Sequence, residues 1–211
     1  MFNLEINDLD KKIWDEELSD FVPEKVYDVH THIYQWQSNL DKNKNTGPYK
    51  YQGENFQNVS FDLLNKVDNE LMPGRVVERL SFPFPYNYPC DFNNSNHYVS
   101  AQTNIHQESG NLILINPMMN EKEIIQCLQS SQAIGFKPYR TYSKTGDITN
   151  CRITDFMSEE HIKIADEKSL IIMMNLSKKY GVADDENIND LIFLSEKYPN
   201  VKWILAHCAR S

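Results

Sequence analysis

The sequence predicts an α/β protein, a (β/α)8 TIM-like barrel that is incomplete, with about six of its eight parallel strands present. Three observations predict this fold. Strand-like and helix-like segments alternate along the 211 residues. The strand-like segments are continuous apolar runs, as expected of strands that are covered on both faces. Polar side chains follow several of these runs, at the strand ends where such barrels carry their sites.

Six strands are predicted, at residues 25–32, 75–82, 112–116, 133–138, 170–175 and 202–207. Helices are predicted between them, at residues 59–71, 96–109, 121–131, 158–168 and 184–198. Local signals support several ends. Pro73 and Gly74 follow the first helix, Asn120 with Glu123 resembles a capping box at the third, and Pro199 stops the last.

The domain organisation follows from the strand count. Residues 1–24 are predicted to be an N-terminal extension, and residues 25–211 the barrel domain. A closed barrel needs eight strands, and the sequence ends a few residues after the sixth. We therefore expect a domain truncated at its C-terminus and a longer natural polypeptide. Residues 33–57 form a long polar segment after the first strand, either a substrate-covering lid or a disordered insert, and their place at the barrel mouth favours the lid.

Composition excludes several classes of protein. The formal net charge is −9 and the pI is near 5.1, so the surface repels nucleic acid and anionic lipid. No apolar run approaches the ~18 residues of a membrane span, and the N-terminus lacks a secretory signal. Cys90, Cys127, Cys151 and Cys208 are scattered, which predicts reduced thiols. We expect a cytoplasmic protein with a small-molecule substrate, and leave homo-oligomer formation open.

The strongest local signal is the segment Val26-Tyr27-Asp28-Val29-His30-Thr31-His32. Side chains two apart in a strand point the same way, so Asp28, His30 and His32 are predicted to share one face. Two imidazoles at this spacing can converge on one ion, and zinc prefers such nitrogen ligands. Asp28 either orients a histidine or caps the strand end. The alternative is two surface histidines near a turn.

A third histidine ends the last predicted strand. His207 follows the apolar run Trp203-Ile204-Leu205-Ala206, which favours the barrel mouth over a satisfied core position. Cys208 is predicted to point to the opposite face.

Cationic residues end the fourth predicted strand. A lysine in a buried strand, Lys137, is costly unless it is paired or functional. Lys137 and Arg140 suit an anionic substrate group, since guanidinium binds carboxylates in a bidentate manner. Carboxylation of Lys137 to bridge two metals, or pairing with an interior acid, are the alternatives.

Together, D-x-H-T-H, G-F-K-P-Y-R and K-Y-P-N-V-K-W-I-L-A-H-C-A-R-S, in this order, resemble the amidohydrolase-related family of metal-dependent hydrolases over residues 26–211. The resemblance implies one or two divalent ions, usually zinc, whose bound water attacks a C–N or C–O bond of an amide, lactone or ester. It implies His30, His32 and His207 as metal ligands and Lys137 as a catalytic residue. Tyr139 and Arg140 are predicted to position the substrate.

Two departures from the family pattern matter. Asn175 stands where the strand-five histidine is expected, which makes it a further candidate catalytic residue and a weaker ligand for zinc. The strand-eight aspartate is absent from this sequence, so residues 1–211 alone are expected to have little or no activity. The alternatives are a ligand-binding relative that has lost catalysis, a decarboxylase of the same superfamily, and a phosphoesterase of the polymerase-and-histidinol-phosphatase type.

Overall fold

The structure, a computed structural model, describes residues 6–45 and 50–209. Its helices are α1 (Asp8–Ile13), α2 (Lys50–Asn55), α3 (Phe61–Leu71), α4 (Phe92–Thr103), α5 (Glu121–Ser131), α6 (Ile153–Phe156), α7 (Glu159–Glu167) and α8 (Asp185–Lys197). Its strands are β1 (Lys25–His32), β2 (Tyr34–Gln35), β3 (Asn58–Val59), β4 (Val76–Phe82), β5 (Gly110–Asn111), β6 (Ile113–Ile115), β7 (Gly135–Pro138), β8 (Ile171–Met174) and β9 (Lys202–Leu205).

The long strands pair in parallel and in chain order. β1 pairs with β4 and β4 with β5, while β6, β7, β8 and β9 form a second parallel sheet. The strand predicted at residues 112–116 corresponds to β6, and β5 lies just before it. The N–H of Leu112, between the two, donates to the carbonyl of Ser81 at 2.9 Å. The sequential parallel order matches the fold predicted from the sequence. Within residues 6–45 and 50–209, β1 and β9 do not pair, so closure of the barrel is not seen.

Capping residues explain where the helices begin. Asn120 and Glu123 form the predicted capping box, with Asn120 Oδ1 accepting from Glu123 N at 3.1 Å and Glu123 Oε2 accepting from Asn120 N at 2.8 Å. The least accurate helix prediction is α4, which begins four residues and ends six residues earlier than expected. Asp91 accepts from Asn94 N at 2.9 Å and starts that helix. An N-cap aspartate therefore outweighs the poor helix propensity of the asparagines that follow it.

Alternate strand residues face two different layers. Ile113, Ile115 and Phe136 pack outward against helices α5, α7 and α8 in a large apolar cluster. The inner face of the sheet carries a smaller apolar cluster, which comprises Phe82, Leu112, Met173 and Ala206. The outer layer holds the helices on the sheet, and the inner layer leads to the carboxyl ends of the strands.

The segment predicted as a polar loop is largely structured. β2 pairs with β3 in antiparallel fashion, and the N–H of Trp36 donates to the carbonyl of Gln57 at 2.6 Å. The indole of Trp36 packs edge-on against Tyr86, with 5.9 Å between ring centroids. These contacts exclude a disordered insert for the described part of residues 33–57, and the role as a lid stays a prediction. Residues 46–49 lie outside the described residues.

The described part of the N-terminal extension is attached to the start of β4. The guanidinium of Arg75 stacks on Trp14 at 5.1 Å, and its Nε donates to the carbonyl of Val22 at 3.0 Å. Across residues 6–45 and 50–209, every helix is too short or too polar to cross a bilayer.

Candidate metal and substrate site

Three histidines lie together at the carboxyl ends of β1 and β9. The ring centroids of His30 and His207 are 4.7 Å apart, and those of His30 and His32 are 5.6 Å apart. His30 and His32 also contact the ring of Phe82 on the inner face, at 4.9 and 4.8 Å. The fold therefore brings together three residues that are separated by up to 177 positions in the sequence.

A β-bulge corrects the expectation that Asp28 shares a face with the histidines. Asp28 lies opposite Arg79 and Thr31 opposite Ser81. Between these two pairs β1 advances three residues and β4 only two, so β1 contains one extra residue. Residues directly opposite each other point to the same side of a sheet. Asp28 therefore points outward with Arg79, whose guanidinium lies over Phe61 of α3 at 5.2 Å. The prediction was wrong because strict alternation assumes a regular strand.

Asp28 accepts hydrogen bonds from two residues of its own strand rather than from an imidazole. Its Oδ1 accepts from His30 N at 3.0 Å, and its Oδ2 accepts from the Thr31 hydroxyl at 2.6 Å. Of the two roles considered from the sequence, the structure agrees with a local role in the strand.

Hydrogen bonds orient the ring of His32. Its Nδ1 lies 3.2 Å from the carbonyl of Pro83, an acceptor that requires a proton on Nδ1. Nε2 is then the unprotonated nitrogen, and it lies 3.4 Å from the hydroxyl of Tyr139. A carbonyl that binds one imidazole nitrogen and leaves the other free is the usual support of a metal-bound histidine.

Burial keeps the β1 imidazoles neutral. It lowers the pKa of His32 from its usual 6.5 to about 3, aided by the neighbouring His30. Burial and the charge of Lys137 lower the pKa of His30 to about 4. Neutral imidazole is the form that binds metal ions.

His207 reaches the cluster through an unusual backbone. β9 ends at Leu205, and residues His207, Cys208 and Ala209 have positive φ values of 55°, 54° and 64°. Left-handed geometry costs about 1–2 kcal/mol per residue with a Cβ. The strand alternation used to predict opposite faces for His207 and Cys208 does not apply in this turn. Both side chains are exposed.

Lys137 is fully buried on β7 among aromatic rings. Its Nζ lies 4.3 Å from the ring centroid of Tyr139, 5.3 Å from that of Phe82 and 3.4 Å from the carbonyl of Met173. No carboxylate of the described chain pairs with it, which disagrees with the interior-acid alternative. Burial lowers the pKa of Lys137 to about 7 and raises the pKa of the buried Tyr139 hydroxyl.

Two other predicted site residues make fewer contacts. Arg140 begins the 3-10 segment after Tyr139 and is partly exposed, and its guanidinium makes no hydrogen bond or ion pair to another described residue. Asn175 directly follows β8 and is partly buried. It is two residues after Met173 and four after Ile171, both of which face the inner layer, so strand alternation continued past β8 would place it on that side.

Sequence reasoning missed an aromatic wall beside the histidines. The ring of Phe84 lies 5.5 Å from His32, 5.4 Å from Tyr34 and 5.1 Å from Tyr86. The signal was present in the run Phe82-Pro83-Phe84, aromatic residues placed where β4 ends. This wall makes the mouth suitable for a flat, apolar group.

The donor set fits a divalent metal in its chemistry, since it offers neutral imidazoles and a correctly oriented His32. In residues 6–45 and 50–209, however, no three His, Cys, Asp or Glu side chains converge closely enough to hold an ion as they stand. The ring centroids are near, at 4.7 and 5.6 Å, so binding of one ion by all three imidazoles would require a change in their arrangement.

Comparisons with known proteins indicate the fold. No family model matches the chain. It is 21% identical over 156 residues to the non-toxic nonhemagglutinin type E of Clostridium botulinum, covering 71% of this chain and 13% of that protein. Among solved structures, a 2,6-dihydroxybenzoate decarboxylase bound to 2,6-dihydroxybenzoate gives a TM-score of 0.52 at 8% identity, covering 86% of this chain and 66% of that one.

A second decarboxylase structure agrees with the first. A dihydroxybenzoic acid decarboxylase from a Polaromonas species, solved with manganese and the inhibitor 2-nitroresorcinol, gives a TM-score of 0.53 at 10% identity. The chain covers 64% of that structure, so it spans slightly less than two thirds of either decarboxylase. At these identities, the likeness shows only that this chain shares the fold of those decarboxylases.

Proposed function

We propose that this chain carries the metal-binding and substrate-binding part of a metal-dependent decarboxylase of the amidohydrolase-related type, acting on a small aromatic carboxylate. The observation that carries the proposal is the meeting of His30, His32 and His207 beside the buried Lys137. The hydrolase predicted first from the sequence becomes the second candidate.

Three features favour decarboxylation over hydrolysis. The mouth combines aromatic rings with the cationic Lys137, which suits an aromatic anion. The carboxylate nearest the ligands in sequence, Asp28, accepts hydrogen bonds within β1 and points away from the histidines, so it does not face a water held between them. The structures that share the fold are named as decarboxylases, and one contains manganese.

The chemistry assigns a role to each residue. A divalent ion, manganese or zinc, would bind and polarise the substrate's oxygen atoms. His30, His32 and His207 would hold that ion, and the Phe84 wall would orient the aromatic ring. Loss of CO₂ leaves an electron pair on carbon, which must take up one proton. Lys137, whose pKa is about 7, carries a proton on Nζ in part of the molecules at neutral pH and would donate it.

Metal content tests the ligand assignment. We expect His30→Ala and His32→Ala each to reduce bound manganese or zinc at least tenfold, measured by elemental analysis after dialysis against the metal. His97→Ala is the matched control, because His97 is exposed on α4, away from the site. Equal metal content in the wild-type protein and all three variants would refute the metal site.

Substrate binding then separates the candidates. Calorimetry with the metal-loaded chain should detect 2,6-dihydroxybenzoate binding, and Lys137→Met should weaken it. CO₂ release identifies a decarboxylase, and turnover of esters, lactones or amides identifies a hydrolase. A chain that binds both metal and ligand without turnover, and gains activity in Asn175→His, would be the ligand-binding relative.

A further inference from the structure

The side chain of Asp28 accepts two hydrogen bonds at the bulge in β1. A bulge leaves one residue without a partner in the strand ladder, and its N–H must find another acceptor. His30 has no Cα partner on β4, and its N–H donates to Asp28 Oδ1 at 3.0 Å. This is the short-range carboxylate-to-backbone bond that aspartate forms two residues onward.

The second oxygen of Asp28 fixes the residue on the other side of His30. Thr31 is buried, with 4% of its surface exposed, and its hydroxyl donates to Asp28 Oδ2 at 2.6 Å. Both carboxylate oxygens are therefore occupied, one by a residue within the bulge and one by the residue at which pairing with β4 resumes. We name this arrangement of Asp28, the His30 N–H and the Thr31 hydroxyl the Asp28 clasp.

The bulge determines which way the imidazoles point. In a regular strand, Asp28 and both histidines would share a face, and Asp28 lies outward opposite Arg79. One extra residue between Asp28 and Thr31 instead directs His30 inward together with His32, where both rings contact Phe82. Without the bulge, the outward position of Asp28 and the inward position of His30 are incompatible.

We infer that Asp28 is a positioning residue for the metal site, acting through the β1 bulge and not as a metal ligand. The inference rests on the proposed function, because it assumes that His30 and His32 bind the ion. In this role the Asp28 carboxylate touches neither the substrate nor the metal. It holds the backbone of His30, so that the imidazoles of His30 and His32 lie on the same side of β1.

The test is a calorimetric titration of the full chain with Mn²⁺ alone. Asp28→Ala should weaken Mn²⁺ binding about tenfold or more, the usual effect of removing a group that orients a ligand. Glu24→Ala is the matched control, since it removes an exposed carboxylate from the same segment and leaves the bulge intact. Thr31→Val should also weaken binding, and Thr31→Ser, which keeps the hydroxyl, should restore it.

A second readout does not require metal. Amide hydrogen exchange at His30 should accelerate in Asp28→Ala at an unchanged thermal midpoint, because the N–H loses its acceptor. A third readout uses a metal with visible absorption. The absorption spectrum of the Co²⁺-loaded protein should change shape in Asp28→Ala and remain unchanged in Glu24→Ala.

The outcomes separate this inference from the proposed function. If the wild-type chain binds no Mn²⁺, both are overturned. If His30→Ala loses Mn²⁺ while Asp28→Ala binds it as tightly as Glu24→Ala, the metal site stands and the clasp has no role in it. Weaker binding in Asp28→Ala and Thr31→Val, with rescue by Thr31→Ser, supports the clasp.

Discussion

The two faces of the sheet differ in composition although the same strands build them. The outer face packs an extended apolar cluster against α5, α7 and α8. The inner face has only a small apolar cluster, and above it lie the buried Lys137 and the imidazoles of His30 and His32. The outer face contributes most of the apolar burial that stabilises the fold. The inner face keeps polar groups whose burial opposes stability, as expected at a functional site.

The outer face should show the largest effect on stability. Phe136 is fully buried in the outer cluster. Phe136→Ala should lower the free energy of unfolding by about 3–5 kcal/mol, through lost burial and the cavity that remains. Urea denaturation measures this change. Metal affinity of the folded fraction should stay unchanged, and its loss would show that the two faces are not independent.

An apolar substitution on the inner face should increase stability. Lys137→Met replaces a buried amine with an apolar side chain of similar length, and should raise the free energy of unfolding by about 1–4 kcal/mol. The folded-state pKa of Lys137 is about 7, below its usual 10.5. Burial of the charged amine therefore lowers the free energy of unfolding most below pH 7, and this charge penalty disappears above about pH 10.5, where the amine is neutral in both states. The gain should therefore shrink between pH 7 and pH 10. A gain that is constant with pH would contradict the assignment of its cause.

The histidines sharpen the comparison under acid conditions. Their folded-state pKa values, about 4 and about 3, lie below the usual 6.5, so the unfolded chain takes up protons first. Their contribution to stability is complete above pH 6.5 and is lost as the pH falls toward 3. The slope is at most about 1.4 kcal/mol per pH unit for the more deeply buried His32, and smaller for His30, whose charge water screens. His32→Gln should flatten the dependence between pH 6.5 and 4, measured by urea denaturation of the metal-free protein, and an unchanged slope would contradict it.

The strand order and most helices were predictable because they depend on local patterns. The apolar runs gave β1 and β7 with errors of two residues or less, and capping residues gave α5 without error. The α4 prediction failed at its start because the N-cap at Asp91 was not considered, and at its end because Gly110 was taken as the stop although the helix ends at Thr103. Structure within residues 33–57 was missed because the antiparallel pairing of β2 with β3 joins residues that are 23 and 25 positions apart.

The candidate site was only partly predictable. His30, His32 and Lys137 were found from residue type and position at strand ends, without knowledge of their distances. The face of Asp28 was predicted incorrectly, because a bulge depends on the register with β4. The wall around Phe84 was missed, since proximity of aromatic rings from β2 and from the end of β4 is a property of the folded chain.

By itself, the sequence determined the alternation of elements, the sequential parallel sheet and the residue types at the strand ends, because these depend on periodicity and caps within a few residues. Only the tertiary structure decided that His207 lies beside His30 and that Asp28 turns away from both. The physical reason is that these relations depend on strand register and on a left-handed turn after β9, and both are set by contacts between distant parts of the chain.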